Sequence, residues 1–179
     1  MSEFRSFNKI SRLSREIVIT EKIDGTNAQI YIDETEQYIR AGSRKRWITV
    51  DDDHYGFAKW VSDNVEELMK LGAGRHFGEW WGSGIQRRYG LNEKRFSLFN
   101  VNRWKDDRPL CCDIVPELYR GDFDTNQINL VLEELRECGS AAAPCFMKPE
   151  GIVIYHKQGN VLFKKTLEKD EEHKSKRAA

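Results

Sequence analysis

The chain has little with which to staple itself covalently. Its four cysteines are Cys111, Cys112, Cys138 and Cys145. None makes a Cys-x-x-Cys pair, and no histidine stands at zinc-finger spacing, so neither a disulfide framework nor a zinc module is indicated. They read as reduced, mostly packed thiols of a cytosolic protein. His54, His76, His156 and His173 form no metal-ligating spacing. No apolar stretch is long enough to span a bilayer, and Met1-Ser2-Glu3-Phe4-Arg5 has no apolar signal core. The expected location is therefore cytoplasmic, with no membrane partner. Net charge is also missing: Lys+Arg and Asp+Glu number 29 each. The overall balance is silent about nucleic acid, and no internal repeat is visible.

What is present is a chain of 179 residues, 39% hydrophobic and 32% charged. That suits one globular domain with a sizeable core. Basic residues are clustered: Arg40 with Arg44, Lys45 and Arg46, then Arg87-Arg88, then Lys94-Arg95 with Arg103 and Lys105. Each cluster is either a solvated face or a set of phosphate contacts.

Periodicity predicts strands over 16–22, 28–33 and 36–41, the first two joined as a hairpin at Asp24-Gly25. Residues 43–53 are too polar for a core strand and read as a loop facing solvent or ligand. Phe57, Trp60, Val61, Val65, Leu68 and Met69 share a helical stripe within 55–71, which makes Trp60 a core residue. Strands are predicted from 75, over 95–101 and over 113–119. A helix over 125–138 has Thr125 as N-cap and Gly139 as its stop. Ala141-Ala142-Ala143-Pro144 reads as a linker. A hairpin over 150–155 and 161–166 turns at Gln158-Gly159-Asn160. The fold class expected is α+β, a mostly antiparallel sheet with covering helices. Residues 1–166 form the domain, and 167–179 a charged tail.

Four charged residues lie in or at the end of apolar strands: Lys22, Glu79, Glu150 and Lys164. A packed domain rarely points charges into a sheet unless they converge on something. The alternative is four solvent-facing strand positions, least comfortable for Glu79 between Phe77 and Trp80-Trp81. Two carboxylates and two lysines around a cleft suit phosphoryl or nucleotidyl transfer. The acids hold a divalent ion or its waters, one lysine balances phosphate charge, and the other attacks.

Glu21-Lys22-Ile23-Asp24-Gly25-Thr26-Asn27 resembles motif I of the covalent nucleotidyltransferases, and its Thr-Asn ending is most like the nick-sealing class of ATP-dependent RNA ligases. Phe77-Gly78-Glu79-Trp80-Trp81-Gly82 with Gly84-Ile85-Gln86 resembles motif III. Phe96-Ser97-Leu98-Phe99 resembles the aromatic motif that follows, Glu150-Gly151-Ile152-Val153 motif IV, and Leu162-Phe163-Lys164-Lys165 motif V. The order is right, and the motifs span residues 21–166.

The resemblance implies a nucleotidyltransferase (adenylation) domain that uses ATP and magnesium or manganese. Lys22 would attack the α-phosphate and carry AMP. Glu79 would bind the ribose hydroxyls, and Phe99 would stack on adenine. Glu150 with Asp24 would order the metal. Lys164 would contact the α-phosphate. Glu21, Asn27, Arg44 and Lys165 would complete the nucleotide set. The substrates implied are RNA strand ends, with DNA or hybrid ends as alternatives.

Two features depart from the pattern. Many relatives read Lys-x-Lys in motif V, whereas here Lys164 and Lys165 are adjacent and Thr166 follows. Fuller ligases carry a further domain after motif V. The expectation is a stand-alone catalytic domain whose grip on a duplex an accessory protein supplies. The rival readings are a DNA ligase or GTP-using capping enzyme, and a non-catalytic nucleic-acid-binding module on a ligase-like fold. Trp47, in the basic loop, is a better candidate than Trp60 for stacking on a base.

Overall fold

The computed structural model describes residues 3–168 and residue 170. Two sheets carry the chain. The four-stranded sheet runs β10-β9-β1-β8, with β1 Glu16–Lys22, β8 Glu117–Asp122, β9 Gly151–His156 and β10 Val161–Thr166. The six-stranded sheet runs β4-β3-β2-β5-β6-β7, with β2 Thr26–Ile32, β3 Ile39–Ser43, β4 Trp47–Ile48, β5 Gly74–Gly82, β6 Lys94–Leu98 and β7 Asp113–Ile114. Neighbours are antiparallel except β6 and β7. The mixed, mostly antiparallel α+β class is as the periodicity implies.

The strands before and after Asp24-Gly25 are not a hairpin. β1 pairs with β8 and β9 in one sheet, and β2 with β3 and β5 in the other. Residues 23–25 are the crossing between sheets. Both strands are apolar on their inner faces, and local patterning cannot say which distant strand fills each edge.

Each sheet has its own core. Helix α4, Thr125–Cys138, lays Ile128, Val131, Leu132 and Leu135 on Ile17, Ile19, Ile152 and Ile154. Its N-cap is Asp124, whose carboxylate accepts from the Asn126 N–H at 2.7 Å, one residue earlier than the sequence pattern implies. Gly139 ends the helix with φ 82°. The six-stranded sheet is covered by α1, Phe57–Asp63, and α2, Val65–Leu68, with Phe57, Val61 and Leu68 against Ile30, Trp80 and Phe96. The single helix that the stripe predicts over 55–71 is broken at Asn64, and a 3-10 turn closes it at Met69–Leu71. Trp60 packs against this core as its stripe implies. Pro116, which has no N–H to donate, separates β7 from β8 where the sequence predicts one strand. A short helix α3, Val101–Trp104, follows β6.

A third cluster, including Val18, Ile23, Trp81, Tyr89, Val101 and Ala143, lies between the sheets. Ala143 belongs to the stretch that reads as a linker. Cys112 is buried and Cys111 half-buried, but Cys138 and Cys145 are exposed, so only half of the thiols are packed. The charged tail lies almost wholly outside the described residues.

Candidate active site at the seam of the two sheets

Lys22 is the last residue of β1, on the four-stranded sheet. Its Nζ donates to Glu150 Oε2 at 2.5 Å, and the Glu150 side chain is only 6% exposed. Register explains the meeting: Lys22 pairs with Gly151, so Glu150 arrives beside it at the start of β9. From the other sheet comes Glu79, mid-β5 and 7% exposed. Its Oε1 accepts from the Gly25 N–H at 3.1 Å, and its Oε2 from Asn27 Nδ2 at 2.9 Å. Asn27 is the cross-strand partner of Glu79.

Burial pushes the Glu79 carboxyl up to about 7; the Lys22 charge and the Gly25 and Asn27 donors oppose that rise, and the Glu150 charge adds to it. Lys22, Glu79 and Glu150 therefore share one electrostatic environment, although they come from two sheets.

Gly25 is required by close approach. A Cβ there would stand 2.5 Å from the Trp80 carbonyl oxygen and 2.7 Å from Trp81 Cβ. The crossing is thus pressed against β5, which is what brings its N–H to Glu79.

The other expected residues divide. Lys164 pairs with Val153, which pairs with Thr20, so Lys164 shares the sheet face of Lys22. Lys165 registers with Ile152 and Glu21, on the face that α4 covers. Lys165 therefore does not converge with Lys22, nor does the Glu21 side chain. Glu21 is 1% exposed; it accepts from Ser140 Oγ at 2.6 Å and the Ala142 N–H at 2.9 Å, and burial raises its carboxyl. The period of two places both on the wrong side for a shared pocket. Phe99 is 41% exposed just beyond β6, its N–H bonded to the Phe77 carbonyl. Arg44 is exposed in the turn between β3 and β4.

Asp24 is held by residues to which no sequence motif points. Its Oδ2 takes Arg87 Nε at 3.0 Å, while Arg87 also donates to the Lys148 carbonyl. Its N–H donates to Tyr89 Oη at 2.7 Å. Burial pushes the Tyr89 hydroxyl up, so it stays protonated. This loop carries positive φ at Gly84, Gln86, Arg88, Tyr89 and Gly90. The sequence marks this loop by its glycines and by the basic pair Arg87-Arg88, read as solvated or phosphate-binding, whereas Arg87 is paired with Asp24. Asp24 thus meets its expected metal role already ion-paired. His54 bonds Thr26 Oγ1 at 3.0 Å.

Among the described residues no group of three or more His, Cys, Asp or Glu could hold a metal by itself. Glu150 and Asp24 offer hard oxygen donors only. That set fits magnesium or manganese bound through one or two carboxylates, with waters and substrate phosphate completing the shell.

Lys22 and two buried carboxylates, Glu79 and Glu150, thus meet between two mostly antiparallel sheets. The chain belongs to the RNA ligase family, whose model matches residues 15–166. Among solved structures it is similar to a Naegleria gruberi RNA ligase variant with ATP and Mn, at 21% identity and a TM-score of 0.66, covering 90% of this chain and 53% of that one. It is also similar to an apo variant of that ligase and to one with AMP and Mn; each gives 20% identity and a TM-score of 0.64, covering 86% of this chain and 50% of the other. The chain thus spans about half the length of the solved ligases it matches. No curated protein matches the sequence. Among the described residues, no helix is long and apolar enough to cross a membrane.

Proposed function

We propose that the chain is the adenylating core of an ATP-dependent RNA ligase. The observation that carries this is the convergence of Lys22, Glu150 and Glu79 from two separate sheets. Lys22 Nζ attacks the α-phosphorus of ATP; the P–N bond forms, the bond to the β-phosphate oxygen breaks, and pyrophosphate leaves. Glu150, in contact with Lys22, is the carboxylate placed to receive the proton that the ammonium must lose. Glu79 accepts from the ribose hydroxyls, held in position by Gly25 and Asn27. Lys164, on the same face as Lys22, neutralises charge developing on the α-phosphate. Phe99 offers a face to adenine. Glu150 and Asp24 would hold a magnesium or manganese ion, which supplies charge neutralisation at the phosphates. AMP then passes to a 5′-phosphate end, and a 3′-hydroxyl displaces it to seal the strand.

The test is intact-protein mass. Protein stripped with pyrophosphate is incubated with ATP and magnesium, beside Lys22→Ala. A gain of one AMP in the wild type alone supports the reading. Stripped wild type that takes no nucleotide from ATP or GTP overturns it.

A further inference from the structure

The sheet face that carries Glu79 does not stop at the nucleotide site. On β5 the same face continues through Phe77 to Arg75, and on β2 from Asn27 through Gln29 to Tyr31. Successive same-face positions lie about 6.6 Å apart, so Arg75 is roughly 13 Å beyond Glu79. Phe77 is 51% exposed. Tyr31 registers with Arg75 on one side and Arg40 on the other. Trp47 pairs with Gly42, whose missing side chain leaves room for the indole: a Cβ there would be 3.0 Å from the ring.

Two guanidinium groups crowd this surface. Arg40 lies 4.6 Å from the Trp47 ring centroid, and Arg75 lies 5.3 Å from it and 5.1 Å from Tyr31. Tyr31 and Trp47 stand 6.0 Å apart. Three of the other clustered arginines are ion-paired, Arg46 with Asp52, Arg87 with Asp24 and Arg95 with Glu93. Neither Arg40 nor Arg75 has a carboxylate partner among the described residues; Arg75 donates only to Gln29 Oε1, at 3.2 Å. Two positive charges gathered on one indole, with no carboxylate beside them among the described residues, suit an anionic ligand.

We propose that Tyr31, Trp47 and Phe77 with Arg40 and Arg75 form a platform for the single-stranded RNA leading to the reacting end. The aromatic faces stack on bases, and the two arginines take phosphates of the same strand. The identity of the strand rests on the ligase reading; the platform's chemistry does not. Stacking is tolerant of base identity, so the platform holds a strand without choosing its sequence.

The test uses a short RNA with a 5′-hydroxyl and a 3′-phosphate, which cannot react, and measures its binding by fluorescence anisotropy. The Tyr31→Ala/Trp47→Ala double variant is expected to bind between about 5- and 100-fold more weakly, while still taking AMP from ATP. Tyr31→Phe/Trp47→Phe keeps the stacking faces and recovers most of the affinity. Arg40→Gln/Arg75→Gln lowers the slope of log affinity against log salt by about 0.7 for each phosphate no longer neutralised. Thermal unfolding confirms that each variant is folded. RNA affinity and salt slope unchanged in both the alanine and the glutamine variants overturn the proposal and leave the face to some other partner. The two readings fail separately. Wild type that takes no AMP but binds RNA through Trp47 sinks the ligase and keeps the platform. Wild type that takes AMP and binds RNA without help from Tyr31, Trp47, Arg40 or Arg75 does the reverse.

Discussion

Glu79 is a buried acid that the fold holds close to its protonated state. Its carboxyl is pushed from 4.5 to about 7, chiefly by burial. The folded chain thus keeps a proton that the unfolded chain releases near 4.5. The stabilisation this gives is full below the unfolded value and is lost as pH rises through about 7. Glu79→Gln cannot titrate. Relative to that variant, the wild type is expected to lose up to about 3 kcal/mol of unfolding free energy between roughly pH 5 and pH 8. A difference that stays flat across that range in urea titrations contradicts the assignment. Gly25 makes a second prediction. Gly25→Ala presses a methyl into the Trp80 carbonyl and displaces the N–H that serves Glu79. It is expected to cost about 1–3 kcal/mol and to slow AMP uptake more than the stability loss explains. Uptake at the wild-type rate would show that the crossing has room to spare.

Helix α4 packs on the side of its sheet away from Lys22. Asp124→Ala removes its cap and is expected to cost about 1 kcal/mol, read as a shifted urea midpoint with an unchanged AMP-uptake rate. A fall in rate beyond the unfolded fraction would tie the helix to the site. This element is legible in the sequence because its apolar stripe, its cap and Gly139 are all local signals. The β9–β10 hairpin is legible for the same reason. The pairing of β1 is not, since its partners begin only at residues 117 and 151 and any apolar edge strand fits it. The site follows the same division. Lys22, Glu79 and Glu150 stand out as charges in apolar strands. Arg87 and Ser140 act across long gaps, through contacts that leave no spacing to read.

At the scale of the molecule the two sheets have separate cores and meet through Trp81 and its neighbours. Trp81 is 1% exposed, and its Nε1 donates to Ser97 Oγ at 2.9 Å. Trp81→Ala is expected to cost about 3–5 kcal/mol. It also loosens the seam that sets Glu79 against Lys22, so AMP uptake should fall even where circular dichroism shows the remaining protein folded. Loss of stability with uptake intact in that folded fraction would mean that the sheets are aligned by something other than this cluster.

The strand bearing Lys22 lies between β8 and β9, the first beginning at residue 117 and the second at 151. A ribosome releases Lys22 early and its two flanking strands late. Pairing over such separations is slow, and it cannot begin before those strands emerge. A half-made chain therefore has Lys22 without the Glu150 that meets it in the finished fold. If the chain takes AMP as proposed above, only molecules whose late strands have paired can be loaded, so AMP uptake reads out completion of this sheet.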